Sequence, residues 1–228
     1  MYIKNKLLST TYRAVLIAIC LYGIILTLSL ARPGGLPDML SFYTVQSNII
    51  VLLFFVGLVI YSLTHRNKPL PQTYHTIKGA VVACITLTLL IFHFVLRPTL
   101  FAMTNGAEYA TSPSNMLVHY AVPLMTLADW LLFDRKGAFR KFDPLIWTVI
   151  PWAYLGFSLI RAQLATFASS GSRYPYFFID LDKYGIGQVA LNILFIAVGY
   201  VALGYAIYLL DLGLSKLAKP KRRKNSKR

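Results

Sequence analysis

A chain of 228 residues that is 57% hydrophobic and only 14% charged, with a mean hydropathy of +0.58, carries more apolar surface than a soluble domain of this length can bury. That excludes a soluble catalytic or binding domain, and the formal charge of +15 then has to be read against a membrane rather than against nucleic acid. A spanning helix needs roughly 20 mostly apolar residues. Six stretches qualify, at about 11–31, 41–64, 76–97, 113–133, 144–164 and 188–210. The expected fold class is all-α, a polytopic bundle of six transmembrane helices, because barrel strands would be only about 10 residues long with alternating polarity.

The first run follows Lys4, Lys6 and Arg13 and ends in the small-x-small triplet Ser29-Leu30-Ala31, which resembles a signal peptide. Its apolar stretch from Ala14 to Leu30 exceeds the roughly 7–15 residues of a signal core, so an uncleaved first helix is expected. Cys20 and Cys84 fall near the middle of the first and third helices, as buried apolar thiols rather than a zinc, redox or disulfide pair. The second run opens with SFYTVQSNII, where Ser41, Thr44, Ser47 and Asn48 share one helix face. The third ends with His93 and Arg97, four apart. The fourth carries Asn115 and His119, again four apart and continuing to Pro123 and Thr126, with Asp129 near its far end. Tyr154, Ser158 and Arg161 line one face of the fifth, and the sixth begins with Gln188 and Asn192. Between them lies GSRYPYFFIDLDKYGIG, in which Pro175 breaks any helix and Tyr174, Tyr176, Phe177 and Phe178 suit either a lid or an interfacial aromatic belt.

Counting Lys and Arg on alternate sides puts 18 of the 23 on the face that receives both termini, so both termini are expected in the cytoplasm and the chain in the cell (inner) membrane. Residues 1–212 form the expected bundle, and 213–228 a disordered basic cytoplasmic tail. Such a tail beside a membrane helix is expected to contact anionic lipid, at about 1 kcal/mol per cation, or simply to anchor the topology, rather than to bind nucleic acid.

With that topology, five helices place hydrogen-bonding groups on one face of their outer halves, while the inner halves are largely apolar apart from Asp129. Polar groups in a bilayer face the bundle interior or a wet cavity. The stripes therefore predict a polar pocket opening outward, although interhelical hydrogen bonding alone also explains any single Ser, Thr or Asn. At 1.5 Å per residue, Thr44 lies about 5 Å into its helix and His119 about 9 Å into its own, a matched depth for a nucleophile and its general base. Asn48 and Asn115 are candidate oxyanion donors. Arg97 and Arg161 are candidates to hold a substrate carboxylate or phosphate, or else snorkel to headgroups; Asn192 and Tyr174 complete the candidate substrate-binding set. No cofactor is expected. His93, His119 and Asp180 or Asp182 lack a metal-ligand spacing within one helix. Asp129, ten residues and roughly 15 Å from His119, is too far to orient the imidazole, so it should pair with an Arg or Lys near the cytoplasmic side.

The segments FYTVQSN, LVHYAVPLMTLADWLLFD and RYPYFFIDLDKYG resemble the signature segments of the bacterial Pr6Pr family of six-helix membrane proteins and, more distantly, of the androgen-induced-gene family of animals, over about residues 12–212. Animal members of that wider group are membrane hydrolases that cleave fatty acid esters of hydroxy fatty acids through a threonine and a histidine. The resemblance implies Thr44 as nucleophile, His119 as base, and a lipid-like ester as substrate. The alternative is a non-catalytic lipid- or small-solute-binding protein or transporter using the same pocket.

Overall fold

With no water in a bilayer core, each apolar run must satisfy its backbone within itself, and helices do so. The computed structural model describes residues 2–31, 33, 35–65, 70–167 and 170–217. Among them are six helices long and apolar enough to cross a membrane: α1 (Lys6–Ser29), α2 (Tyr43–Thr64), α3 (Gln72–Phe101), α4 (Pro113–Phe133), α5 (Asp143–Leu164) and α6 (Leu181–Leu217). No strand occurs among the described residues. Their ends differ from expectation for local reasons. The α1 helix starts at Lys6 because Asn5 caps it, its side chain accepting the Leu8 N–H at 3.0 Å. The α6 helix begins at Leu181, breaks at Gly185, where φ is 70°, and continues to Leu217. Residues 213–217, expected in the tail, are therefore helical; 218–228 lie outside the described residues, as do Arg32, Arg66 and Lys68 of the charge count.

Two of the spans contain a π-turn, at Phe92–Leu96 in α3 and Leu117–Ala121 in α4. The turns close with Arg97 N–H donating to Phe92 O and Val122 N–H to Leu117 O, and each is followed by a proline, Pro98 and Pro123. A proline has no N–H to continue the i→i−4 ladder and crowds the carbonyl four residues back. The wider turn absorbs that disturbance without ending the helix, which lets α3 run past Arg97.

The α3 helix is the centre of the bundle, packed against α2, α4, α5 and α6. One core joins α1 to α4 through Leu16, Cys20, Val51, Phe55, Ile85 and Val122; a second surrounds Trp130, Trp147 and Tyr200. Among the described residues the α5 and α6 helices pack most closely near Pro144 and Gly204, where Tyr200 Oη donates to Trp147 O at 3.3 Å, and lie further apart beyond. Both described termini lie at one end of the bundle: Ile3 N–H donates to Leu132 O at 2.7 Å, and Ser215 lies beside Gly137.

That end holds the pairing with Arg and Lys expected for Asp129, and more buried polar groups than expected beside it. Asp129 accepts from Arg13 Nε at 2.8 Å and from Lys78 Nζ at 2.5 Å, while Asp134 accepts from Tyr74 Oη at 2.7 Å. Arg13 and Lys78, two of the cations in the charge count, lie inside their spans and are buried. Long cationic side chains from α1 and α3 reach inward because Asp129 and Asp134 offer them partners away from water.

Candidate active site

Thr44 is the second residue of α2, after an extended Phe42 (φ −75°, ψ 137°) and Tyr43. The first N–H groups of a helix lack intrahelical acceptors; the Thr44 N–H is directed at Tyr176 Oη, 3.4 Å away. Thr44 Oγ1 lies 3.0 Å from His119 Nε2. His119 Nδ1 lies 3.1 Å from the Asn115 carbonyl, which can only accept. The imidazole proton therefore sits on Nδ1, which donates to Asn115, and Nε2 accepts from the Thr44 hydroxyl. Phe92 stacks on the imidazole with centroids 3.8 Å apart and 17° between planes. Each ring thus comes from one π-turn, Phe92 from α3 and His119 from α4. Thr44 is 8% exposed and His119 6%, so the pair is shielded from water.

Most of the remaining polar residues of the stripes bind one another or the backbone; the buried Ser158 hydroxyl does not. Asn48, fully buried, donates both amide hydrogens, to Thr44 O at 2.8 Å and Val118 O at 3.1 Å, fastening α2 to α4. Ser47 shares a 2.8 Å hydrogen bond with Thr88. Asn115 donates to Tyr109 O at 2.7 Å and Ser112 Oγ at 3.3 Å. Arg161 donates to Ser41 Oγ at 2.8 Å and to the Arg173 carbonyl at 3.4 Å, pairs with Asp38, and lies over the Phe167 ring at 3.7 Å. Arg97 lies over Phe101 at 5.0 Å. Asn192 donates to Phe178 O and accepts from Gln188, each at 2.9 Å. Tyr174 is buried in the loop, its N–H on Ser172 Oγ at 3.0 Å. Away from water, an unpaired polar group costs more than a paired one, so most of these side chains pair within the protein instead of lining a wet chamber.

The cavity that does form is apolar. It has a volume of about 420 Å³ and is bounded by Leu87, Thr88 and Ile91 of α3, Thr148, Trp152 and Leu155 of α5, Ile193, Ala197 and Tyr200 of α6, and Tyr176 and Phe178 of the connecting loop. Tyr43 and Thr44 form its polar corner; none of Asn48, Arg97, Asn115, Arg161, Asn192 and Tyr174 borders it. It exists because α5 and α6 diverge. Two of its wall residues, Trp152 at 51% and Val198 at 60%, are also exposed on the outer apolar face, so the chamber opens sideways between these helices.

Tyr176 closes the chamber at the corner nearest Thr44. Its ring stacks on Phe178 (5.1 Å, 7°) and meets the edge of Phe42 (5.7 Å, 73°). Burial pushes its phenol above the ordinary tyrosine value, so it remains a protonated donor. The sequence marks it only as part of an aromatic run, and the prolines after the π-turns are the only trace of Phe92's position. Among the described residues no three of His, Cys, Asp and Glu gather as a metal site; His93 Nδ1 instead meets Tyr120 Oη at 3.0 Å.

No family model matches the chain, and no curated protein or solved structure shows a significant match to it.

Proposed function

We propose that the protein is an intramembrane hydrolase of lipid-like acyl esters, with Thr44 as nucleophile and His119 as general base. The observation that carries this reading is the Thr44 Oγ1···His119 Nε2 contact of 3.0 Å, in the tautomer that lets Nε2 accept, at the polar corner of an apolar cavity of about 420 Å³. A hydroxyl is a weak nucleophile until a base takes its proton. Thr44 Oγ1 attacks the ester carbonyl as its proton passes to Nε2. The Asn115 carbonyl, accepting from Nδ1–H, holds the ring and favours the imidazolium that forms. The imidazolium protonates the departing alcohol, and water, deprotonated by the same nitrogen, releases the acid from the acyl-threonine.

The chamber falls within the range of small-molecule sites and suits an acyl chain. Its opening between α5 and α6 gives such a chain a path from the bilayer without crossing water. The distribution of Lys and Arg supports cytoplasmic termini, hence a site in the outer half of the membrane, and the basic tail is read as contacting anionic lipid. The resemblance to the Pr6Pr and androgen-induced-gene families points to the same two residues.

A second reading, a non-catalytic lipid or small-solute binder or transporter, is favoured by the same lining, which is apolar except for a few hydroxyls and does not include His119. Turnover of a long-chain 4-nitrophenyl ester by purified protein separates the two. The hydrolase reading expects turnover and labelling by a serine-hydrolase-type probe, both lost in Thr44→Ala. Full turnover in Thr44→Ala refutes it.

A further inference from the structure

An ester hydrolase needs donors where the carbonyl oxygen becomes negative, and removing one such donor typically costs about 10²–10³ in kcat. The asparagines nearest the pair do not supply them. Both amide hydrogens of Asn48 are engaged by carbonyls of α2 and α4, and those of Asn115 by Tyr109 O and Ser112 Oγ. Freeing either would break the contacts that hold the pair in place.

The cavity wall beside Thr44 offers another group. Tyr176 Oη accepts the Thr44 N–H and also meets the Tyr154 hydroxyl, whose own hydrogen goes to Ser41 O. The Tyr176 hydrogen therefore points to Tyr154 and has only to turn to reach a ligand oxygen in the chamber that both tyrosines border. Its oxygen lies within reach of the Thr44 side chain as well, and both residues border the chamber. The ring is held between Phe42 and Phe178, so the hydroxyl has little freedom to wander. It stands at the N-terminus of α2, a 22-residue helix whose dipole favours negative charge there.

We infer that Tyr176 is a catalytic residue of this site, its hydroxyl donating to the oxyanion of the tetrahedral intermediate formed on Thr44. The inference rests on the hydrolase reading. As Thr44 Oγ1 bonds to the carbonyl carbon and its proton passes to His119 Nε2, the carbonyl π pair moves onto oxygen, and that oxygen accepts the Tyr176 O–H. Collapse returns the pair to the carbon and breaks the bond to the leaving alcohol, which takes the proton from His119. Tyr176 keeps its proton throughout, consistent with a phenol whose burial resists ionisation. The aromatic loop therefore brings a donor to the reacting atoms as well as covering the chamber.

Tyr176→Phe tests this, because it removes one oxygen and keeps the ring contacts. In the purified full-length chain, the expected result is a fall of about 10²-fold in kcat for a long-chain 4-nitrophenyl ester, with KM within about twofold. A long-chain trifluoromethyl ketone, which Thr44 adds to as an oxyanion, should inhibit about 10²-fold less well, whereas the matching secondary alcohol, which forms no oxyanion, should bind Tyr176→Phe and the unsubstituted protein alike. A Tyr176→Phe protein with undiminished kcat overturns the inference and leaves the Thr44–His119 pair standing, as does equal weakening of ketone and alcohol, which marks a merely structural role. Absence of turnover in the unsubstituted protein, or turnover and ketone binding that survive Thr44→Ala, removes the hydrolase reading and this inference with it.

Discussion

Replacing Asp129 by asparagine removes the charge at the centre of the buried ion cluster while preserving shape. The cluster holds two cations, Arg13 and Lys78, and two carboxylates, Asp129 and Asp134, with Lys78 1% and Asp129 0% exposed. The neutral amide would leave one positive charge uncompensated between α1, α3 and α4. Removing one partner of a buried pair costs about 3–5 kcal/mol, and a chain of this size loses about 2–4 °C in Tm per kcal/mol, so Tm should fall by about 6–20 °C. Cys20 and Cys84 are both free and buried, so a fluorogenic maleimide reports unfolding in detergent without added labels. The paired replacement Lys78→Met with Asp129→Leu removes one charge of each sign and leaves Arg13 facing Asp134 at 3.8 Å. It should recover more than half of the loss, because a well-packed apolar pair often matches a buried ionic one. A Tm for Asp129→Asn within about 2 °C of the unsubstituted protein, or losses in the paired variant that simply add, would refute the claim that this charge is desolvated and held by its partners.

Thr44→Ala and His119→Ala should each abolish ester turnover, and the double variant should be no worse than either, since the pair acts as a unit; Thr44→Ser should keep measurable kcat because the hydroxyl remains. Gly79→Ala should lower Tm, at a cost of about 1–3 kcal/mol. Its new Cβ would lie 2.1 Å from Trp147, whose ring is buried and held by Nε1–H donating to Thr76 O at 2.9 Å. Gly57→Ala, with nothing within 4 Å, should leave the melting curve unchanged. Arg97→Ala should leave KM for the ester unchanged, because its guanidinium lies over Phe101 and away from the cavity wall; a several-fold rise in KM would contradict that placement.

Thr44 and His119 were legible as a pair because helical rise converts position in a span into depth, and two side chains at matched depth on inward faces can meet. The other stripe residues carried the same signal and had different fates. Asn48 lies one turn beyond Thr44 on the same face, yet its amide binds two carbonyls while the threonine borders the chamber. Helical spacing assigns a face and leaves the neighbour unspecified. Tyr176 was hidden for a related reason: it is 132 residues from Thr44, in a loop whose composition fits an ordinary interfacial belt equally well. Arg13 and Lys78 sat where flanking cations usually sit, and their burial follows from Asp129, which is 116 residues from one and 51 from the other.

By itself the sequence determined the helical class and the number and order of the spans, because in a bilayer each apolar segment must satisfy its own backbone and needs a minimum length to cross. Only the tertiary structure decided which polar groups pair with one another and which remain for chemistry. It likewise decided that the chamber is apolar, lies between α5 and α6, and opens sideways. Those outcomes depend on which helices touch and where they part, and that is set by contacts such as Pro144 against Gly204 and Trp147 against Gly79, between residues far apart in the chain.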